Sequence, residues 1–418
     1  MLDFKALPPL SLYIHVPWCV RKCPYCDFNS HKSPDSLPEQ AYIDALIRDL
    51  EQEVPHIWGR TVQTIFIGGG TPSLFSAEAY DRLFSSIRAL LPLSPQLEIT
   101  LEANPGTFEA QHFADYLDIG INRLSIGVQS FNDQSLTALG RIHDSKQAIK
   151  AIEMAHKVGF ENFNLDLMFG LPHQTEKTAR NDVATAIDLE PSHISYYQLT
   201  LEPNTLFYQQ PPTLPDEDPI IDWQIANQQR LADAGYQQYE VSAYAKNQRN
   251  QRGNQRGQTR LISPTNKIIE PKSIESDPFD FRCQHNLNYW HFGDYIGIGA
   301  GAHGKISDAA KQNITRRSKQ KQPQAYMDNA GTASVVLTEE VIAEKDLGFE
   351  FMLNALRLTD GFPTPLFYLR SGLPISHINK ALQQAEQLGL LTHDIHTIRP
   401  TEKGQRYLNG LVELFLPD

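Results

Sequence analysis

The sequence predicts an α/β protein whose first half is an incomplete (β/α)6 barrel. Two observations carry that prediction. Between Leu10 and Leu199, six apolar runs with strand character are each followed by a helical pattern or a Pro/Gly break. Such alternation implies a parallel sheet with helices outside. Polar or glycine-rich groups then fall at the same end of five successive strands. That is the C-terminal end, where closed barrels of this class carry their chemistry.

The elements follow in order. Leu10 to Val16 is a short apolar strand. Ile43, Leu46, Ile47, Leu50 and Val54 recur at helical spacing, as do Tyr80, Leu83, Phe84, Ile87, Leu90 and Leu91. Between these helices, Val62 to Ile67 reads as a buried strand running into Gly68-Gly69-Gly70. Further strands are expected over Leu97 to Leu101, Arg123 to Val128, Phe163 to Phe169 and His193 to Leu199. Six units rather than eight leave the barrel open. Tyr13 lies on the first strand, Gly68 to Pro72 follow the second, and Glu102 and Asn104 the third. Gln129 follows the fourth strand, and Asp166 sits on the fifth.

The organisation expected is a partial barrel over 1–235, a smaller α+β, β-rich extension over 236–335, and a helical, winged-helix-like domain over 336–418. The stretch Asn247–Arg282 repeats Asn-Gln-Arg three times and carries seven Lys/Arg against four Asp/Glu. It lacks apolar periodicity and reads as a disordered surface insertion; a basic contact segment is the alternative. The glycines of Gly297 to Gly304 suggest close backbone approach. A nucleotide fingerprint would need a following helix, and Ser307 to Gln312 opens a helix poorly.

A chain of 418 residues with 49 acidic and 37 basic side chains carries a net charge of −12. That balance argues against nucleic acid as the main partner. No apolar run approaches the ~20 residues needed to span a bilayer. Four cysteines without a signal-peptide pattern at the start point to reduced thiols in a cytoplasmic compartment.

Three of those cysteines, Cys19, Cys23 and Cys26, share the spacing C-x3-C-x2-C. Three thiolates on one loop suit three irons of a [4Fe–4S] cluster. The fourth iron then lacks a protein ligand and is open to a small molecule, by the logic that separates catalytic from structural metal sites. The plainer alternative is structural zinc, which would need Cys283, His15 or His31 to complete four ligands.

This spacing, with Tyr25 before the last cysteine, resembles the radical S-adenosylmethionine (SAM) superfamily. The ordered set of further motifs resembles one branch, the HemW-type radical SAM heme chaperones, relatives of the oxygen-independent coproporphyrinogen III oxidase. The motifs are His15 to Cys19, Cys26-Asp27-Phe28, Gly68 to Ser73 and Glu102-Ala103-Asn104-Pro105. They continue through Gly127 to Phe131, Leu139-Gly140-Arg141, Asp166 to Pro172 and His285 to Trp290.

The resemblance implies that Cys19, Cys23 and Cys26 ligate the cluster and that Tyr13, Gly69 and Glu102 contact SAM on the open iron. In the oxidase a second SAM lies near positions matching Tyr25, Gly70, Thr71, Gln129, Arg141 and Asp166. Interior hydrogen bonds are the plainer role for Gln129, Asp166 and Glu102, and a surface salt bridge for Arg141. His285, with Tyr289 and Trp290 beside it, is the heme-contact candidate, since neutral imidazole is a standard heme ligand; Cys283 is the softer alternative. The partners implied are heme and acceptor hemoproteins or respiratory-chain components, membrane-associated recipients included. Two departures separate this chain from the oxidase pattern. Phe28 stands where the oxidase has an extra cysteine, and only 18 residues precede Cys19. The expected function is therefore heme binding and delivery without catalysis. SAM-dependent radical decarboxylation of coproporphyrinogen III is the alternative. A winged-helix DNA regulator would leave the cysteine motif unused and conflicts with the acidic balance.

Overall fold

The structure, a computed structural model, describes residues 2–106, 110–246 and 280–417. The stretch expected to be a disordered insertion lies outside them except for 280–282.

Six strands run parallel and pair in sequence order: β1 (Leu10–Val16), β2 (Val62–Gly69), β3 (Leu93–Ala103), β4 (Arg123–Gln129), β5 (Phe163–Phe169) and β6 (His193–Gln198). Helices α1 (Glu39–Glu53), α2 (Ala77–Leu90), α3 (Phe113–Asp118), α4 (Asp133–Ala138), α5 (Ser145–Val158) and α6 (Glu176–Asp188) connect them. Long apolar side chains explain why the helices stay on one side. Leu12, Ile14, Ile65, Ile67, Leu101, Leu124, Ile126 and Leu165 point away from the barrel interior and join one core with Leu46, Leu83 and Ile152 of the helices. Alternate residues point the other way. The lumen is therefore lined by a polar set that includes Tyr13, Glu102, Ser125 and Asp166.

The barrel does not close. After α7 (Glu217–Asp233), β7 (Tyr236–Gln238) and β8 (Ala243–Lys246) add to β6 as an antiparallel edge. On the other side β1 pairs in parallel with β9 (Asp294–Ile298). Antiparallel β10 (His303–Asp308), β11 (Asn313–Lys319) and β12 (Val336–Val341) continue the sheet to twelve strands. The segment Ser307–Gln312, tested above as a helix start, forms the end of β10 and a turn. The glycines before it serve close packing, as expected. A Cβ on Gly297 would stand 2.0 Å from the His303 carbonyl oxygen, and one on Gly299 2.3 Å from that of His15.

Buried ion pairs tie this extension to the barrel. Asp49 and Glu53 of α1 accept from Lys319 at 2.6 and 2.7 Å. Asp294 accepts from Lys305 at 3.1 Å and forms an ion pair with Arg60 at 2.9 Å.

The remaining chain builds a second core from Phe351, Leu356, Phe367, Leu382, Ile398 and Leu411. Helices α9 (Leu347–Ala355), α10 (Pro365–Ser371) and α11 (Asn379–Gln387) pack there, with a three-stranded sheet of Phe362–Pro363, Thr397–Pro400 and Leu391–His393. Three helices precede the wing of Leu391–His393 and Thr397–Pro400, in the helical, winged-helix-like region expected. The last helix is split into Glu402–Arg406 and Leu408–Glu413.

Candidate cofactor cavity

The cysteine loop is pinned at both ends. Trp18–Cys19 pairs in parallel with His31–Lys32. Trp18 itself is core, its ring edge-on to Tyr42 at 4.8 Å. The glycine turn after β2 is stitched to the same point, Gly70 N–H donating to Val16 at 2.7 Å and Thr71 N–H to Trp18 at 2.7 Å. His15 is the wedge between them. Its Nε2 bonds the Asn29 carbonyl at 2.8 Å and its Nδ1 takes the Tyr13 hydroxyl at 3.0 Å. Burial lowers its pKa to about 4, so the ring is neutral at pH 7.

Gly69 and Gly70 are needed by the protein itself. Gly69 has φ +118°, and a Cβ there would stand 2.7 Å from the His15 ring; a Cβ on Gly70 would stand 2.5 Å from the Trp18 carbonyl oxygen. The sequence reading gave these glycines to ligand approach; in the fold their Cα hydrogens already touch the cysteine loop.

The three thiols open into a cavity of about 240 Å³ at the C-terminal ends of the strands. Of the residues singled out from the sequence, Tyr25, Gly69, Gly70, Thr71, Glu102, Gln129, Arg141 and Asp166 line it with Cys19, Cys23 and Cys26. Among the described residues no three His, Cys, Asp or Glu side chains converge tightly enough to grip one metal ion. A cluster asks for something else: one thiolate at each of three corners. Burial raises the Cys19 and Cys26 thiols above their ordinary value, a state that bound iron would reverse.

Glu102 receives the Gly69 N–H at 3.1 Å. Burial, then the nearby Asp166, push its carboxyl up to about 8, so in the empty cavity it holds its proton at neutral pH. Asp166 accepts from Asn164 at 2.8 Å and from Ser125 at 3.4 Å. Gln129 sits at a register break in β4 with φ +70° and takes the Tyr197 hydroxyl at 2.8 Å. These are the interior hydrogen bonds weighed above, and both side chains nevertheless face the cavity. Among the described residues Arg141 makes no salt bridge. Its Nη2 reaches Asn104 at 2.7 Å and the Gly127 carbonyl at 2.8 Å, its Nη1 approaches the Cys23 sulfur at 3.7 Å, and its buried Nε has no partner. Sequence reasoning missed Ser125, Met168 and Tyr197 in the lining. For Ser125 and Met168 the signal was the two-residue alternation with Gln129 and Asp166, whereas Tyr197 is brought in only by its register opposite Met168.

Tyr13 lies deeper, below the cavity, where burial raises its pKa. His285 is not brought to the cavity. It lies on α8 (Gln284–Trp290), which plugs the opposite end of the barrel. Its Nδ1 bonds Thr64 at 2.8 Å and its Nε2 bonds Tyr289 at 3.0 Å. Burial, then the neighbouring Arg123, lower its pKa to about 3. Glu98 caps the start of α8, receiving the backbone N–H groups of Gln284 and His285 at 3.3 and 3.2 Å. Cys283 is fully buried beside it, and its thiol is pushed up to about 12. Trp290 turns outward to the C-terminal module, where Arg357 lies over its ring at 4.3 Å.

The radical SAM superfamily profile matches residues 13–186, and the HemN C-terminal domain profile matches 342–407. The heme chaperone HemW of Escherichia coli is 46% identical over 412 residues, covering 99% of both chains. That of Haemophilus influenzae is 44% identical, again over 99% of both, and that of Bacillus subtilis 32% identical over 97% of this chain. The solved structure of coproporphyrinogen III oxidase (HemN) from E. coli, a radical SAM enzyme, superposes with a TM-score of 0.76 at 21% identity. It covers 98% of this chain and 90% of that one, which establishes a shared fold.

Proposed function

The chain belongs to the HemW family of radical SAM proteins, and we propose that it is a heme chaperone, binding heme and passing it to acceptor hemoproteins while keeping an iron–sulfur and SAM site. The observation that carries this is full-length relatedness: 46% identity over 99% of both chains to a protein named as a heme chaperone. The radical SAM family implies a [4Fe–4S] cluster and SAM.

In this reading Cys19, Cys23 and Cys26 would hold the cluster, which would supply an open iron site for SAM. The chain's own part is positioning. Gly69 brings backbone to the ligand. Glu102, neutral when the cavity is empty, becomes a carboxylate when an ammonium approaches, because an opposite charge favours the ionised form. Arg141, with one nitrogen unpartnered and no carboxylate to neutralise it, suits an anionic group beside Cys23. With Tyr25, Gly70, Thr71, Gln129 and Asp166 it would face a second ligand molecule.

The alternative is decarboxylation of coproporphyrinogen III. Phe28 lines the cavity where the oxidase pattern has a cysteine, and is 59% exposed. That exchange removes a thiol from the oxidase arrangement and supports the chaperone reading.

Titration of heme into the cluster-loaded protein tests the proposal, alongside a coproporphyrinogen assay with SAM and a reductant. A saturable Soret shift and decarboxylation near background are expected. Robust formation of protoporphyrinogen IX would overturn the reading.

A further inference from the structure

A chain of hydrogen bonds crosses the barrel lumen from the plugged end to the cysteine cavity. It begins at the Cys283 N–H, which donates to the Tyr239 hydroxyl oxygen at 3.1 Å. That hydroxyl meets His193 Nε2 at 2.8 Å, and His193 Nδ1 meets Asn164 Oδ1 at 2.6 Å. Asn164 Nδ2 then donates to Asp166 Oδ1 at 2.8 Å and to the Ser125 oxygen at 2.9 Å. Ser125 donates its own hydrogen to Asp166 Oδ2 at 3.4 Å. Strand register builds the chain. Ser125 on β4 and His193 on β6 both stand opposite Asn164 on β5, and Ser195 stands opposite Asp166. Tyr239, His193 and Asn164 are all buried.

The polarity of the chain is fixed at its first link. A backbone N–H can only donate, so Tyr239 turns its own hydrogen to His193. The His193 ring is neutral, because burial, then Arg123, hold its pKa well below the ordinary value. Its Nε2 therefore accepts and its Nδ1 carries the proton. Asn164 must then turn its oxygen to His193, where the Ser195 hydroxyl also donates at 3.0 Å. Its nitrogen is left for Asp166. Each donor points toward the cavity, and Asp166, which lines that cavity, is the last acceptor.

Glu102 of β3 lines the same cavity. Two carboxyls in one buried site do not both ionise readily. The donors decide between them. Among the described residues the hydrogen bond to Glu102 comes from the Gly69 N–H at 3.1 Å. Asp166 receives two side-chain donors, and Arg123, deeper on β4, also favours its charged form. Tyr197 of β6 faces Asp166 too, but its hydroxyl is spent on Gln129 at 2.8 Å. Hydrogen bonds to the charged form stabilise it, and donors to a carboxylate are among the strong ones.

We infer that Tyr239, His193 and Asn164 are positioning residues: their chain holds Asp166 as an oriented carboxylate in the cavity wall, where it takes a cationic group of the ligand, an ammonium or a sulfonium. The inference rests on the SAM part of the reading above and adds the residues that prepare one of its contacts. It divides the two carboxyls by role, Asp166 standing as the fixed anion and Glu102 holding a proton until a cation arrives. It also gives the plugged end a part in ligand binding, through the backbone of Cys283.

The test titrates SAM into the cluster-loaded full chain by calorimetry, from weakly acidic to weakly basic pH, with iron and sulfide content as a control. Asp166→Asn is expected to weaken SAM binding and to abolish its fall toward acid. His193→Phe, which removes the Nδ1 donor, should weaken binding about tenfold at neutral pH and move the acid fall to higher pH, since Asp166 then ionises less readily. Tyr239→Phe should act in the same direction and more weakly. His193→Asn, whose amide can place a donor where Nδ1 stands, should restore the parent profile. Glu102→Gln should leave the shift caused by His193→Phe in place, whereas in the Asp166→Asn background His193→Phe should have no further effect. An equal loss in that background, or an equal loss in His193→Asn and His193→Phe, would make the chain a packing feature and overturn the inference. Parent affinity in Asp166→Asn would also overturn it, while the cluster and SAM reading stands. If the cluster-loaded parent takes up no SAM, that reading falls as well.

Discussion

The two ends of the barrel use the same kinds of residue to opposite ends. At the C-terminal end the side chains are left available: three thiols, a protonated Glu102, an Arg141 with an unpartnered nitrogen and a Gln129 in a left-handed backbone conformation. At the N-terminal end they consume one another. Glu98 receives two backbone N–H groups of α8, His285 bonds Thr64 and Tyr289, and His193 bonds Asn164 and Tyr239 at 2.6 and 2.8 Å. A buried polar group is costly until paired. The closed end is therefore mainly structural, although among the described residues the buried Arg123 Nε and Gln284 Oε1 have no hydrogen-bond partner there. The His285-to-Trp290 motif falls on the structural side. It joins the barrel floor, through His285 and Tyr289, to the C-terminal module, through Trp290.

The largest effect expected from breaking this contrast is at the open end. Cys23→Ala should abolish cluster retention after anaerobic reconstitution, measured as iron and sulfide per chain. Cys283→Ala should keep the full complement. Equal retention in both would erase the distinction between the two thiol environments.

Glu98→Ala should destabilise the plugged end by roughly 1–3 kcal/mol, since it leaves the helix N–H groups of Gln284 and His285 unsatisfied in the interior. Urea unfolding of the purified chain measures this. A loss under about 1 kcal/mol, the worth of a typical exposed pair, would show that α8 is held by packing alone.

A pH dependence is also expected at the open end. The folded empty cavity keeps the Glu102 proton up to about pH 8, whereas the unfolded chain releases it near the ordinary value of 4.5. Through that window the folded state binds more protons, so stability falls as pH rises. Glu102→Gln should flatten this slope, and SAM should do the same by favouring the carboxylate. An unchanged slope in the variant would remove Glu102 as its source.

Much of the fold was legible because it rests on local periodicity. The strands Leu10–Val16 and Phe163–Phe169 match the predicted runs, and Arg123–Gln129 is longer by one residue. The strand expected over Leu97–Leu101 extends to Leu93–Ala103, because its polar start through Pro95 pairs only once β2 is beside it. Arg141 was assigned to the site through the family motif, with a surface salt bridge as the plainer alternative, and it lines the cavity. Its sequence neighbours look exposed, and only the fold places it between the cysteine loop and Gly127.

The sequence by itself determined the alternation of strand and helix, the three-cysteine loop and the strand-end placement of most cavity residues. These depend on spacing along the chain: a period of two for inward faces, and a few residues for the thiols. Only the tertiary structure decided which polar groups are spent on neighbours and which remain open. His15, His193 and His285 look available in the sequence. Their partners come from distant segments, Asn29, Tyr239 and Thr64 among them, and a hydrogen bond between segments exists only when the fold brings donor and acceptor within about 3 Å.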